Sequence, residues 1–190
     1  MKKGFTLIEV LVSVSIFSIV MLVATGAVFS IVEANKKTHT LKSVMTNLNF
    51  ALESMARDMR VGFRYACTSN IAVRSADCAE GDSVFHYKAN RDVDGDGLYS
   101  TTDDNDRIEY SLSGNRIMKT VYGANSSNPP VAITASEIKI TSLSFYAVGT
   151  AAGDRLQPKV VITVQGYAGE GSTRSDFDIE TTVTQRAIDS

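Results

Sequence analysis

The sequence predicts an α+β fold in which one long N-terminal helix packs against an antiparallel β-sheet head. The segment from Val10 to Val32 is apolar and carries no charged residue, and residues 41–59 repeat apolar side chains every three or four positions. Beyond residue 84, short segments alternate apolar and polar residues. The first two patterns are typical of helices and the third is typical of half-buried strands.

The apolar segment is long enough to cross a membrane. With a rise of about 1.5 Å per residue, the 23 residues from Val10 to Val32 span roughly 35 Å, against a hydrocarbon core of about 30 Å. Lys2 and Lys3 precede the segment, so the positive-inside rule places the N-terminus in the cytoplasm and the head outside. A buried core helix or a secretory signal is less consistent with the pattern, because the apolar region of a signal usually has only about 7–15 residues.

Glu9 lies directly before this apolar segment. A carboxylate placed centrally in a membrane costs about 2.5–3.5 kcal/mol on insertion scales. Glu9 therefore either lies at the level of the lipid headgroups or has a function that offsets this cost, and its position alone leaves both interpretations open.

Residues 2–12 read KKGFTLIEVLV, which combines a basic leader, a glycine, a phenylalanine and an immediate apolar helix. This combination resembles the leader and helix start of type IV prepilins and type II secretion pseudopilins. The resemblance implies that prepilin peptidase cleaves between Gly4 and Phe5 and that Phe5 is then N-methylated. It also implies that Glu9 neutralises the N-terminal amine of a neighbouring subunit, since two charges in an apolar filament core can be retained as a pair.

The helix is predicted to continue beyond the membrane segment as an amphipathic helix that covers the sheet, because no proline interrupts the chain from Phe5 to Val61. The residues assigned to its apolar face are Leu41, Val44, Met45, Leu48, Leu52, Met55 and Met59. The predicted organisation is a leader peptide (1–4), a transmembrane or filament-core helix (5–32), its amphipathic continuation (33–64) and a β-rich head (65–190). The resemblance implies the same pilin-like, ladle-shaped architecture.

Alternating residues predict one antiparallel sheet with one face on the helix. Its predicted strands are 84–87, 108–112, 116–122, 138–148, 159–167 and 176–187. The turn Ser113-Gly114-Asn115 joins the second and third of these strands in a hairpin. The order of elements resembles the PilW/PulJ group of minor prepilins, although this chain has Gln185-Arg186-Ala187 where related proteins often have an Arg-Asn-like tail.

The two cysteines, Cys67 and Cys78, are predicted to form a disulfide, because an even pair in an extracytoplasmic compartment is most simply oxidised. A metal site is the alternative interpretation. It is less consistent with the sequence, because neither His39 nor His86 completes a credible tetrahedral set.

Residues 92–103 follow the spacing of a Ca²⁺-binding loop, with Gly97 at the sixth position, where such a loop turns sharply. Asp103 occupies the twelfth position, and Asp104 or Asp106 could complete the ligand shell. The predicted ligands are Asp92, Asp94, Asp96, Leu98 through its carbonyl, Ser100, Asp103 and Asp104. The alternative is a solvated Asp-Gly turn without a metal. We therefore expect a structural Ca²⁺ ion and no organic cofactor.

Composition disfavours two functional classes. The 19 basic and 21 acidic residues give a net charge of −2, so the chain lacks the excess of basic residues that is typical of nucleic-acid-binding proteins. The sequence has no glycine-rich phosphate loop, HExxH or GxSxG motif, so we do not expect an enzyme.

The resemblance implies a minor prepilin, an assembly-priming subunit of a type IV pilus. Such a subunit crosses the inner membrane once, with its N-terminus in the cytoplasm, and later becomes part of an extracellular pilus. The implied partners are other major and minor pilins, prepilin peptidase and the inner-membrane assembly platform. The alternatives are a minor pseudopilin of type II secretion and a membrane-anchored, Ca²⁺-dependent adhesin.

Overall fold

The computed structural model describes residues 4–101, 104–123, 128–151, 154 and 156–186, except for the side chain of Ser172. Its dominant element is the predicted long helix, α1, which runs without interruption over 55 residues from Leu7 to Val61. At about 1.5 Å per residue this helix is roughly 80 Å long. The helix ends at Gly62, whose backbone N–H donates to the carbonyl of Met59 at 2.9 Å.

Only the second half of α1 packs against the head. Its buried residues are Val44, Leu48, Ala51, Leu52, Met55 and Met59. The assignment of Met45 to the buried face was wrong, because its side chain is 37% exposed. Successive residues of a helix differ by about 100°, so Met45 points away from the stripe that Val44 and Leu48 define.

Nine strands follow the helix within the residues that the structure describes. They are β1 (Phe63–Ala66), β2 (Cys78–Asp82), β3 (Val84–Lys88), β4 (Arg107–Ser113), β5 (Arg116–Tyr122), β6 (Val131–Ala132), β7 (Ile138–Val148), β8 (Lys159–Ala168) and β9 (Ser175–Thr184), with a short 3₁₀ helix at Gly171–Thr173. The last strand begins one residue earlier than predicted and ends at Thr184, and Ala187 lies outside the described residues.

The predicted α+β fold, a long helix packed on antiparallel β-structure, is confirmed, but the described part of the head has two sheets where one was expected. Within the described residues the strands form two antiparallel sheets, one ordered β1-β3-β4-β5-β6 and one ordered β2-β7-β8-β9. The sequence alternation predicts six of these strands, which are β3, β4, β5, β7, β8 and β9. It does not predict the short strands β1, β2 and β6, and it does not specify that β5 pairs with β6 rather than with β7. The stacked rings of Phe85 and Phe145, with centroids 5.3 Å apart, connect the two sheets in the core.

The predicted hairpin between β4 and β5 is confirmed. Ser113 pairs with Arg116, which leaves Gly114 and Asn115 as the two turn residues, with φ angles of 57° and 60°. Two positive φ angles are required by the tight turns that match the twist of a hairpin. Asp106 just before this hairpin and Gly123 just after it lie beside the aspartate loop, as we call the predicted Ca²⁺-binding segment 92–103.

Candidate functional site

The N-terminus of α1 is closed by a capping box. The backbone N–H of Thr6 donates to Glu9 Oε2 at 3.0 Å, the Thr6 hydroxyl donates to the same oxygen at 2.9 Å, and the Glu9 N–H donates to Thr6 Oγ1 at 3.4 Å. The Thr-x-x-Glu spacing of residues 6–9 is the sequence signal of such a box. In the single chain, Glu9 therefore fixes the point at which the helix begins.

The first half of α1 exposes its apolar side chains. Large apolar residues from Phe5 to Val32 are between 42% and 85% exposed. Within the described residues, α1 is the one helix long and apolar enough to cross a membrane, and its most apolar part contains no buried residue. Such a surface needs lipid or other apolar helices around it.

Four of the hydroxyl groups within this half are satisfied by the helix itself. Ser13, Ser15, Ser18 and Thr25 each donate to the carbonyl four residues earlier, at 2.7–2.8 Å. A polar group without a partner is costly in an apolar medium, and these bonds remove that cost. The small polar residues are therefore compatible with a lipid or filament environment.

The aspartate loop is folded around its own carboxylates. Asp92 accepts hydrogen bonds from the backbone N–H groups of Gly95 at 2.7 Å and Gly97 at 2.9 Å. These bonds, led by the one from Gly95, lower the pKa of Asp92. Gly97 has a φ of +79°, which confirms the predicted turn. Asp96 is exposed and accepts from the N–H of Leu98 at 2.7 Å.

Three carboxylates meet beside this loop. Asp92, Asp94 and Asp106 each place one oxygen within 4.8 Å of the other two. Asp106 directly precedes β4 and is fully buried, and it has a φ of 56°, which is uncommon for a residue other than glycine. The loop and the start of the hairpin therefore contribute to a single acidic cluster.

Asp104 is turned towards two arginines. Its Oδ1 lies 3.3 Å from Arg74 Nε and 3.5 Å from Arg107 Nη1, and Asp104 is not part of the three-carboxylate cluster. Leu98 is 73% exposed and Ser100 is half-buried. Asp103, predicted at the twelfth position of the Ca²⁺ loop, lies outside the described residues.

Cys67 and Cys78 form the predicted disulfide, with their Cα atoms 5.9 Å apart. The loop that the disulfide closes also contacts His86 on β3. The ring nitrogens of His86 lie 2.9 Å from the carbonyls of Thr68 and Val73. Burial has the largest effect on the pKa of His86 and, together with the nearby positive charge of Arg107, lowers it against the opposing effect of the two carbonyls. No sequence pattern pointed to this anchoring role.

Comparison with known families bears on the N-terminus. Residues 1–25 match the family described as "Prokaryotic N-terminal methylation motif". The chain carries a type IV pilin-like prepilin signal. No curated protein and no solved structure matches the chain.

The matched motif indicates a prepilin-type protein, either a type IV pilin or a pseudopilin. The motif implies processing by prepilin peptidase and assembly with other pilins, and it is consistent with anchoring in a membrane. Gly4 and Phe5, the predicted cleavage and methylation positions, precede the helix and are exposed in this prepilin-type chain, Phe5 to 85%. The bond between them is therefore accessible to a protease.

Proposed function

We propose that this prepilin-type protein is a minor pilin, a structural and assembly-priming subunit of a type IV pilus. The observation that carries the proposal is the division of α1 into an exposed apolar half that bears the methylation motif and a half that packs on the head. The exposed half is suited first to the inner membrane and then to a bundle of like helices. The proposed role is structural and needs no catalytic group.

In this proposal Glu9 pairs with the N-terminal amine of a neighbouring subunit. The backbone N–H and the hydroxyl of Thr6 both donate to Glu9 Oε2, and a carboxylate has about four acceptor positions, so the capping box leaves room for a second partner. An amine and a carboxylate in an apolar bundle are each costly alone, and pairing offsets that cost. The pair would also fix the axial register between neighbouring helices.

The finer assignment to the PilW/PulJ group, with a place in a priming complex at the pilus tip, rests on the resemblance of the sequence. The elements on which that resemblance draws are the long helix, the β4–β5 hairpin and the β7-β8-β9 meander of this chain. The head would then be displayed on the filament surface. A type II secretion pseudopilin would have the same N-terminal features, so location is the property that separates the two.

The test is mass spectrometry of purified filaments and of the inner membrane from the same cells. We expect filament peptides that begin at N-methylated Phe5 and membrane peptides of both processed and unprocessed chain. Processed chain that is absent from pili but present in the assemblies of a secretion system would replace the pilus with a pseudopilus. A chain that is never cleaved after Gly4 would contradict both.

A further inference from the structure

Asp106 is a buried carboxylate with an unsatisfied oxygen. Its side chain is fully buried, and its Oδ1 accepts a hydrogen bond from the Val93 N–H at 2.8 Å. Its Oδ2 accepts no hydrogen bond in the part of the chain that the structure describes. Lys88 Nζ lies 3.9 Å from Oδ2, beyond hydrogen-bond distance, and donates instead to the carbonyl of Asn105. A buried carboxylate oxygen without a hydrogen bond is costly and indicates a missing partner.

The position of Asp106 indicates what that partner is. Its carboxylate lies in the cluster with those of Asp92 and Asp94, all within 4.8 Å of one another. A Ca²⁺ ion binds oxygens at about 2.3–2.6 Å, so two ligands of one ion can lie up to about 5 Å apart. Three oxygens at this spacing are close enough for one ion to contact all three carboxylates after small rotations of their side chains.

The charges of this cluster also suit a divalent cation. Three carboxylates and the ammonium group of Lys88 leave two negative charges in a half-buried to buried place. The donors are all oxygens, which favours Ca²⁺ or Mg²⁺ over transition metals. Ca²⁺ accepts irregular sets of carboxylates more readily than Mg²⁺, which demands near-octahedral geometry.

The end of β5 makes room for the Asp94 carboxylate. A Cβ atom added at Gly123, just after β5, would lie 2.1 Å from Asp94 Oδ2. The cluster therefore consists of two loop carboxylates and that of Asp106 before β4, and the absence of a side chain at Gly123 leaves space for Asp94. An ion bound there would contact residues on two separate segments of the head.

We propose that Asp92, Asp94 and Asp106 bind one Ca²⁺ ion, which fastens the aspartate loop to the β4–β5 hairpin. This set keeps Asp92 and Asp94 of the seven predicted ligands and adds the buried Asp106, which the sequence spacing left as an alternative to Asp104. Asp104 instead neutralises Arg74 and Arg107. The proposal does not depend on assembly into a pilus, and it holds equally for a pseudopilin.

The test is calorimetric titration of CaCl2 into the full chain in detergent micelles after treatment with a chelator. We expect one site with a dissociation constant of about 10⁻⁴–10⁻³ M, the range of extracellular Ca²⁺ modules. Asp94→Asn and Asp106→Asn should each weaken binding at least about tenfold, since affinity depends on the number of charged ligands. Asp104→Asn is the matched control and should change the dissociation constant by less than about twofold.

Two results would overturn the proposal: the absence of a Ca²⁺ binding signal in the unmodified chain, or a loss of binding in Asp104→Asn with none in Asp94→Asn. Tyrosine circular dichroism verifies the fold of each variant. If Asp106→Asn does not fold, Asp94→Asn decides the outcome, because Asp94 lies in the loop and is only half-buried. Tighter binding of MgCl2 than of CaCl2 would contradict the choice of ion.

Discussion

Thr6 and Glu9 hydrogen bond to each other in both directions at the start of α1. The Thr6 N–H donates to Glu9 Oε2 at 3.0 Å, and the Glu9 N–H donates to Thr6 Oγ1 at 3.4 Å. The Glu9 carboxylate therefore caps the helix of its own chain, and its charge is proposed to pair with the N-terminal amine of a neighbouring subunit. These two roles can be separated by substitution.

Glu9→Gln should block assembly while it preserves the helix. Glutamine keeps the capping box but has no charge to pair with an incoming amine. Since an unpaired charge in an apolar core costs several kcal/mol, we expect the amount of protein in filaments to fall at least about tenfold. The amount in the membrane should not change, and quantitative mass spectrometry of both fractions measures the ratio.

Thr6→Val is the matched control for that experiment. It removes the cap, at a cost of about 1 kcal/mol to the start of the helix, but it leaves the Glu9 charge intact. Incorporation into filaments should remain close to that of the unmodified chain. A loss in Thr6→Val as large as that in Glu9→Gln would show that assembly depends on the helix cap as well as on the charge, and normal assembly of Glu9→Gln would contradict charge pairing.

Asp58 joins α1 to the head through two polar contacts. Its Oδ2 accepts from Lys119 Nζ on β5 at 2.8 Å, and its Oδ1 lies 3.4 Å from Arg91 Nη2. The side chains of Asp58 and Lys119 are only 18% and 25% exposed, so the bond is partly shielded from water. We expect Asp58→Asn to lower the free energy of unfolding of the head by about 1–3 kcal/mol.

Urea unfolding followed by tyrosine circular dichroism measures this change. Glu53→Gln is the control, because the Glu53–Arg57 pair on the same helix is 73% and 78% exposed. Exposed pairs of this kind contribute about 0.3–0.5 kcal/mol. If Asp58→Asn costs no more than Glu53→Gln, the contact does not hold the helix to the head.

The sequence predicts those features of the structure that depend on residues close together in the chain. The long helix, the β4–β5 hairpin and the Cys67–Cys78 disulfide follow from local signals: unbroken helical periodicity, a Gly-Asn turn and a single pair of cysteines. Residues near in sequence decide these features, so a pattern can report them. The methylation motif is local in the same sense.

The features that the sequence did not predict depend on contacts between distant residues. His86 anchors the disulfide loop through backbone carbonyls, which leave no pattern in the sequence. Asp104 and Asp106 are equivalent by spacing, and only the fold places one beside the arginines and the other in the carboxylate cluster. The division into two sheets likewise depends on which strand edges meet.

His86 should make the head less stable in mild acid. A free histidine has a pKa of about 6.5, and burial beside Arg107 lowers the pKa of His86. As the pH falls below about 6.5, the unfolded chain gains a proton that the folded chain does not, so the free energy of unfolding decreases, by at most about 1.4 kcal/mol per pH unit. Urea unfolding at about pH 7.5 and about pH 5.5 measures the loss.

His86→Gln should reduce this loss, whereas His39→Gln should retain it. His39 is the only other histidine of the chain and is exposed on the helix. Burial raises the pKa of Glu109, so at lower pH this residue increases the free energy of unfolding, opposite to the effect of His86. The variants are therefore compared with the unmodified chain at the same pH. The same loss in His86→Gln as in the unmodified chain would show that another group causes it.

Gly123→Ala should weaken Ca²⁺ binding without unfolding the head. The added methyl group would lie 2.1 Å from Asp94 Oδ2, and because this oxygen is at the end of a flexible side chain, the carboxylate can move away. The φ of Gly123 is not positive, so alanine adds no backbone strain there. We expect the melting temperature to match that of the unmodified chain in chelator and to rise less in CaCl2, since a ligand stabilises a fold in proportion to its binding. An equal rise in both proteins would mean that Asp94 does not bind the ion.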